Sequence, residues 1–174
     1  MANHKTTPTG RASPFAEDEI IVTKTDPKGR ILYANEVFLS VSRMSLASVL
    51  GQPHSIVRHP DMPRCIFEMM WKTIAAGGEF FGYVKNMASN GDHYWVFAHV
   101  TPSRDAGGAI TGFHSNRRKP DAAQIARIEP LYQRLLAAEH AQADRKAGQR
   151  QGAELLAAFL AERRLSYEQF AFSV

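Results

Sequence analysis

Apolar positions recur along this chain with two periods, and the switch from one to the other separates sheet-forming from helix-forming stretches. The run EIIVTKTD from Glu19 is β-branched and ends at Asp26-Pro27-Lys28-Gly29, which is turn chemistry. RILYAN follows, so the first two strands are expected as a hairpin. Asn35 offers a side-chain oxygen to cap a helix from Glu36 to about Ser42, with Val37, Phe38 and Val41 on one face. Ser45 caps a further turn through Leu46, Val49 and Leu50, which Gly51 closes. Pro63 suits the first turn of a longer helix whose stripe is Ile66, Phe67, Met70, Trp71 and Ile74, ending at Gly77-Gly78. Three aromatic-rich runs come next, EFFGYVKNMA, DHYWVFAHVTPS and AITGFHSNRR. Ser89-Asn90-Gly91 and Asp105-Ala106-Gly107-Gly108 separate them as hairpin turns.

From Asp121 the period becomes helical, with Ile125, Ile128, Leu131, Tyr132, Leu135 and Leu136 in phase, and Pro130 is expected to kink or break that helix. After Gly148 and Gly152, a second amphipathic helix carries Leu155, Leu156, Phe159 and Leu160 on a face that needs a partner. The expected fold is α+β: a five-stranded antiparallel sheet with short helices on one face, followed by C-terminal helices, enclosing an interior pocket. Residues 1–17, rich in Thr, Ser, Pro and Gly, are expected as a disordered arm. Residues 18–120 form the sheet domain, 121–147 the helix after it, and 148–174 a C-terminal amphipathic helix.

Composition changes this picture little. With 174 residues, 44% of them hydrophobic and 22% charged, one globular domain with appendages is expected. The net charge of +4 is dispersed except at Arg117-Arg118-Lys119, so nucleic acid is not an expected partner. Cys65 is the only cysteine, which excludes an internal disulfide and fits a reducing compartment. No secretory apolar run and no membrane-spanning stretch is present, so a cytoplasmic location is expected. No nucleophile–base set, phosphate loop or HExxH pair occurs, and Cys65 reads as packing, so the chain is not expected to be an enzyme.

One stretch exceeds what a turn needs. Ile56-Val57-Arg58-His59-Pro60-Asp61-Met62-Pro63 crowds a guanidinium, an imidazole and a carboxylate between two prolines. Either a ligand is held there, or Arg58 and Asp61 form a local ion pair with His59 capping the turn.

DPKGRILYANEVFLSVS, GQPHSIVRHPDMP, GYVKNMASNGDHYWVFAHVTP and ITGFHSNR together closely resemble the PAS sensor domain, in particular the flavin-binding branch at the front of bacterial aerotaxis receptors. The likeness covers roughly residues 19–140. It implies non-covalent FAD whose redox state alters the sheet and the signal passed on to a partner protein. Arg58, His59 and Asp61 match positions whose replacement is associated with loss of flavin, and Asn35 matches the family's Asn at the helix start. Arg58 and His59 supply positive charge and N–H donors, while Asp61 accepts from flavin or orients Arg58. Asn86, which both donates and accepts, suits the polar edge of a flavin in either redox state. Trp71, Phe80 and Trp95 are the aromatic candidates. Where flavin-binding relatives commonly carry a Trp after Gly-Glu, this chain reads GGEFFG, with Phe80 nearest that position.

Two rivals accompany this reading. A haem-based gas sensor would use His54 or His59 as iron ligand, and a cofactor-free interaction module would use the sheet face and the C-terminal helix. The apolar faces after residue 121 are expected to be covered by a second copy or by docking onto a separate signalling protein, with at least a homodimer expected.

Overall fold

The structure, a computed structural model, describes residues 6–174. Strands β1 (Ile21–Thr25), β2 (Ile31–Ala34), β3 (Phe80–Met87), β4 (His93–Arg104) and β5 (Ile110–Arg118) form one antiparallel sheet in the order β2-β1-β5-β4-β3. Between β2 and β3 come α1 (Glu36–Ser42), α2 (Leu46–Val49), a 3₁₀ turn (His54–Val57) and α3 (Arg64–Ala75). After β5 come α4 (Ala122–His140), α5 (Arg145–Arg163) and α6 (Tyr167–Ser173).

Register decides which side chains meet. Thr23 lies opposite Ser115, Val100 opposite Ser115 from the other side, Ala98 opposite Arg117, and Val84 opposite Val96. Side chains alternate along a strand, so Thr23, Thr25, Val84, Asn86, Ser115 and Arg117 share the inner face toward α1 and α3. Phe81, Tyr83, Lys85, Trp95 and Phe97 point the other way. The core lies between the inner face and the short helices, with Phe38, Val41, Val57, Ile66 and Ile74 buried.

The chain after β5 departs from expectation. Pro130 lies inside α4 without breaking it, and α5 starts at Arg145 and runs unbroken through Gly148 and Gly152. Those glycines mark close approach of α5 to α4: a Cβ at Gly148 would collide with the Glu139 carbonyl oxygen. The C-terminal break falls instead at Arg164, which adopts a left-handed cap with φ of 54°.

The apolar helix faces assigned to a dimer are covered in part within the chain. Ile128, Leu131, Tyr132 and Leu135 of α4 are buried, Leu156 of α5 is buried, and Tyr167 of α6 stacks on Phe80 at 5.7 Å. Leu155, Phe159 and Leu160 of α5 stay only partly buried. Residues 9–13, expected within a disordered arm, pair with the β3–β4 hairpin. Thr9 N donates to Gly91 O, Ser13 N to His93 O, and the buried Ser13 hydroxyl to Val41 O at 2.9 Å. The first five residues of that arm lie outside the described region. No helix among the described residues is long and apolar enough to cross a membrane.

Candidate functional site

Between the inner face of the sheet and α3 the chain leaves a cavity of about 320 Å³. Its walls are mostly apolar, with Phe67, Met70 and Trp71 from α3 facing Val84, Val100 and Phe113 from the sheet. Trp71 meets Phe113 edge-on at 5.5 Å.

Polar groups enter at two corners. At the first, Arg117 of β5 is only 5% exposed. Its Nη2 donates to the Thr23 hydroxyl at 2.6 Å and to His54 Nε2 at 2.7 Å. Burial, and then the Arg117 charge, push the His54 imidazole down to about 3, so the ring is neutral and Nε2 accepts. Burial alone lowers Arg117 to about 10, and it stays charged at neutral pH. Its Nη1 has no hydrogen-bond partner, nor do the buried hydroxyls of Thr25 and Ser115, and all three residues line the cavity. A buried guanidinium with an idle N–H group is costly unless something anionic or strongly accepting meets it.

At the second corner, the Arg58 guanidinium lies over the Phe67 ring at 4.3 Å and its Nη2 donates to Met62 O at 3.0 Å. The Arg58 backbone bridges to Asn86 on edge strand β3, which stitches the loop to the sheet. Asn86 is 4% exposed and faces the cavity. Through Pro53, Ser55 and Arg58 the cavity adjoins a wider groove of about 980 Å³, with Arg43, Ser45, Ser48 and Gln52 along it.

Of the eight candidate residues, Arg58, Trp71 and Asn86 line the cavity and five do not. Asn35 is a structural cap: Oδ1 accepts from Val22 N and Phe38 N, and Nδ2 donates to Ile20 O. His59 is buried in the loop, its Nδ1 accepting from Asp61 N at 3.1 Å. Burial lowers His59 to about 4, with Asp61 opposing, so it is neutral at neutral pH. Asp61 turns outward to Lys85 Nζ at 3.0 Å, and the local Arg58–Asp61 pair does not form. Phe80 packs on Tyr167 of α6. Trp95 lies on the opposite face of the sheet against Tyr132 at 6.1 Å, because it is one residue out of phase with Val96 and Ala98. Cys65 is buried away from the cavity, and its thiol is pushed up to about 12 by burial first and Glu139 second.

Sequence reading missed Arg117 together with Thr23, Thr25 and Ser115. The available signal was the alternation Phe113-Ser115-Arg117, which carries an arginine onto the same face as a core phenylalanine. Reading Arg117-Arg118-Lys119 as one basic run concealed it.

A sheet with this strand order, walled by short helices around one hollow, is the architecture of a PAS domain, and the comparisons agree. Residues 31–116 match the family model described as the PAS fold. Over 127 residues the chain is 42% identical to the aerotaxis receptor of Escherichia coli (strain K12), covering 73% of this chain and 25% of the receptor. It is 28% identical to the nitrogen fixation regulatory protein of Klebsiella pneumoniae over 99 residues, which is 57% of this chain and 20% of that protein. The dark structure of the blue-light photoreceptor Aureochrome1 LOV superposes with a TM-score of 0.55 at 22% identity, covering 70% of this chain and 84% of that one. The chain belongs to the PAS family, with a domain of the aerotaxis-receptor type. It spans only a quarter of that receptor's length.

Proposed function

We propose that this chain is a flavin-binding redox sensor that holds FAD without a covalent bond and passes its state to a partner protein. The observation that carries the reading is the Arg117 corner, a buried cation with one N–H and two neighbouring hydroxyls lacking partners, on residues that line one hollow with aromatic walls. This donor set fits the polar edge of an isoalloxazine. The neighbouring groove, with Arg43 and Arg58 along it, has the positive charge that suits a dinucleotide tail. The aerotaxis receptor as relative and a light-oxygen-voltage domain studied with a flavin analogue as structural neighbour support the same ligand class.

Flavin supplies a ring that takes up electrons and protons. Arg117 favours whichever ligand state carries more negative charge, and Asn86 is able to donate or accept as the ring's edge changes. Asn86 shares strand β3 with Lys85, which reaches Glu129 of α4 at 3.6 Å on the far face, so a change at the ring edge has a short route to the helix after the sheet. Such a route signals only if two arrangements differ in affinity for the two redox forms. Haem is disfavoured because His54 Nε2, the atom that would bind iron, already accepts from Arg117, and His59 does not line the cavity.

The test is to add FAD to the purified chain, remove free flavin by gel filtration and record the visible spectrum. Retention of near-equimolar flavin, bleached by reductant and restored by air, is expected. A colourless protein after FAD addition overturns the proposal, and a Soret band would transfer it to haem.

A further inference from the structure

The loop carrying Arg58 runs directly into α3, and α3 begins without a cap of its own. Pro63 occupies the capping position and offers no side-chain acceptor. The first N–H groups of a helix have no intrahelical partner and need one from elsewhere. Glu139 supplies it from α4, some 74 residues away in sequence: one carboxylate oxygen accepts from Arg64 N at 2.9 Å and the other from Cys65 N at 2.8 Å. Glu139 is 2% exposed, so its charge rests in the interior on those two bonds and on the N-terminal end of α3.

Helix α5 closes over this joint at its two buried glycines. A Cβ at Gly152 would lie 2.9 Å from Glu139 Cγ and 3.2 Å from Cys65 Sγ, so any larger residue there displaces the carboxylate. Within the loop, Lys85 of β3 links Asp61 at 3.0 Å to Glu129 of α4 at 3.6 Å. The segment from Arg58 to Cys65 is therefore held by α4 directly at its C-terminal end and through Lys85 of β3 at Asp61, while Arg58 itself lines the cavity.

We infer that Glu139 is a positioning residue for the ligand cavity. By capping α3 it fixes the adjoining Arg58–Pro63 loop, so the α4–α5 hairpin sets how tightly the cavity holds its ligand. The ligand half of this inference rests on the flavin reading; the clamp does not. The residue touches no cavity ligand and acts through the loop.

The experiment compares the full chain with Glu139→Gln and, as an independent wedge, Gly152→Val, first without flavin. Amide hydrogen exchange is followed in peptides spanning 58–66 and, as reference, 21–25. Loss of a charged capping acceptor is expected to raise exchange in 58–66 roughly tenfold or more in both variants, with the reference strand unchanged. FAD titration of the same proteins is then expected to show affinity weakened roughly tenfold, which a uniformly destabilised but correctly shaped domain would not show. Exchange that rises no more in 58–66 than in the reference overturns the clamp, and a loosened loop with unchanged affinity overturns the positioning role. Wild-type protein that takes no FAD overturns the flavin reading, and the exchange result alone then decides the clamp. Should Glu139→Gln fail to fold, Gly152→Ala, which places only a methyl against the carboxylate, decides in its place.

Discussion

The two arginines that face the cavity are built in opposite ways. Arg117 projects from β5, one of three inner strands, fixed by ladder pairing on both sides to β1 and β4. It meets a neutral histidine and a hydroxyl, and no carboxylate balances it. Arg58 sits in a loop outside the sheet, bonded to the loop's own carbonyl, packed on Phe67 and adjacent to Glu139. Arg117 is a buried group on a paired strand with one N–H lacking a partner, whereas Arg58 is only half-buried, makes one hydrogen bond and depends on tertiary contacts for its position. The conspicuous motif is thus partly self-structuring, and an inconspicuous residue holds the strongest demand for a ligand.

The largest effect that sharpens this contrast is on the ligand-free protein. Arg117→Met removes a buried, unbalanced charge while filling similar space, and Thr23 and His54 lie 3.2 Å apart and are able to bond each other. Denaturant unfolding is expected to show a gain of about 1–4 kcal/mol without flavin, in the sense seen when buried charges are replaced by packed apolar groups. A loss of stability would mean that Arg117 is already balanced.

Acidification comes next. His54 titrates at about 3 folded against an ordinary 6.5, so the unfolded chain takes up the proton first. Stability is then complete above pH 6.5 and declines as the pH falls toward 3, by up to about 1.4 kcal/mol per pH unit from this ring. His59, lowered to about 4, acts in the same sense. His54→Gln is expected to reduce the slope by about one proton in pH-dependent denaturation; an unchanged slope would place the acid sensitivity elsewhere.

Arg58→Ala is expected to cost about 1 kcal/mol, the size of one hydrogen bond to a carbonyl plus a half-exposed cation–π contact. Its exchange signature should stay within the loop, and spread into the sheet would contradict the contrast. The smallest effect is assigned to Asp61→Asn. The side chain is 55% exposed and its partner is Lys85, so stability should change by less than about 1 kcal/mol and the difference should vanish in high salt.

The strands were legible because their turns are chemically explicit: Asp26-Pro27-Lys28-Gly29, Ser89-Asn90-Gly91 and Asp105 to Gly108 each close a hairpin at the expected place. Asn35 capped its helix as its chemistry required. Long-range closeness was not legible. Gly148 and Gly152 look like helix breakers by propensity, yet they are helical because only glycine lets α5 approach Glu139. The polar N-terminal stretch looks free by composition, yet residues 9–13 pair with β4 and its turn through the backbone, which composition does not report. At the site, residue chemistry singled out Arg58, Trp71 and Asn86, which line the cavity. A shift of one residue along β4 sent Trp95 to the other face, and a neighbouring basic pair hid Arg117.

The most direct test is the FAD binding isotherm of wild type and Arg117→Met, measured side by side with fold checked by circular dichroism. Saturable binding by wild type, weakened about a hundredfold or more in the variant, is the expected result for the loss of a buried charged donor. Equal affinity in the two proteins, with both correctly folded, would contradict the assignment of ligand recognition to the Arg117 corner.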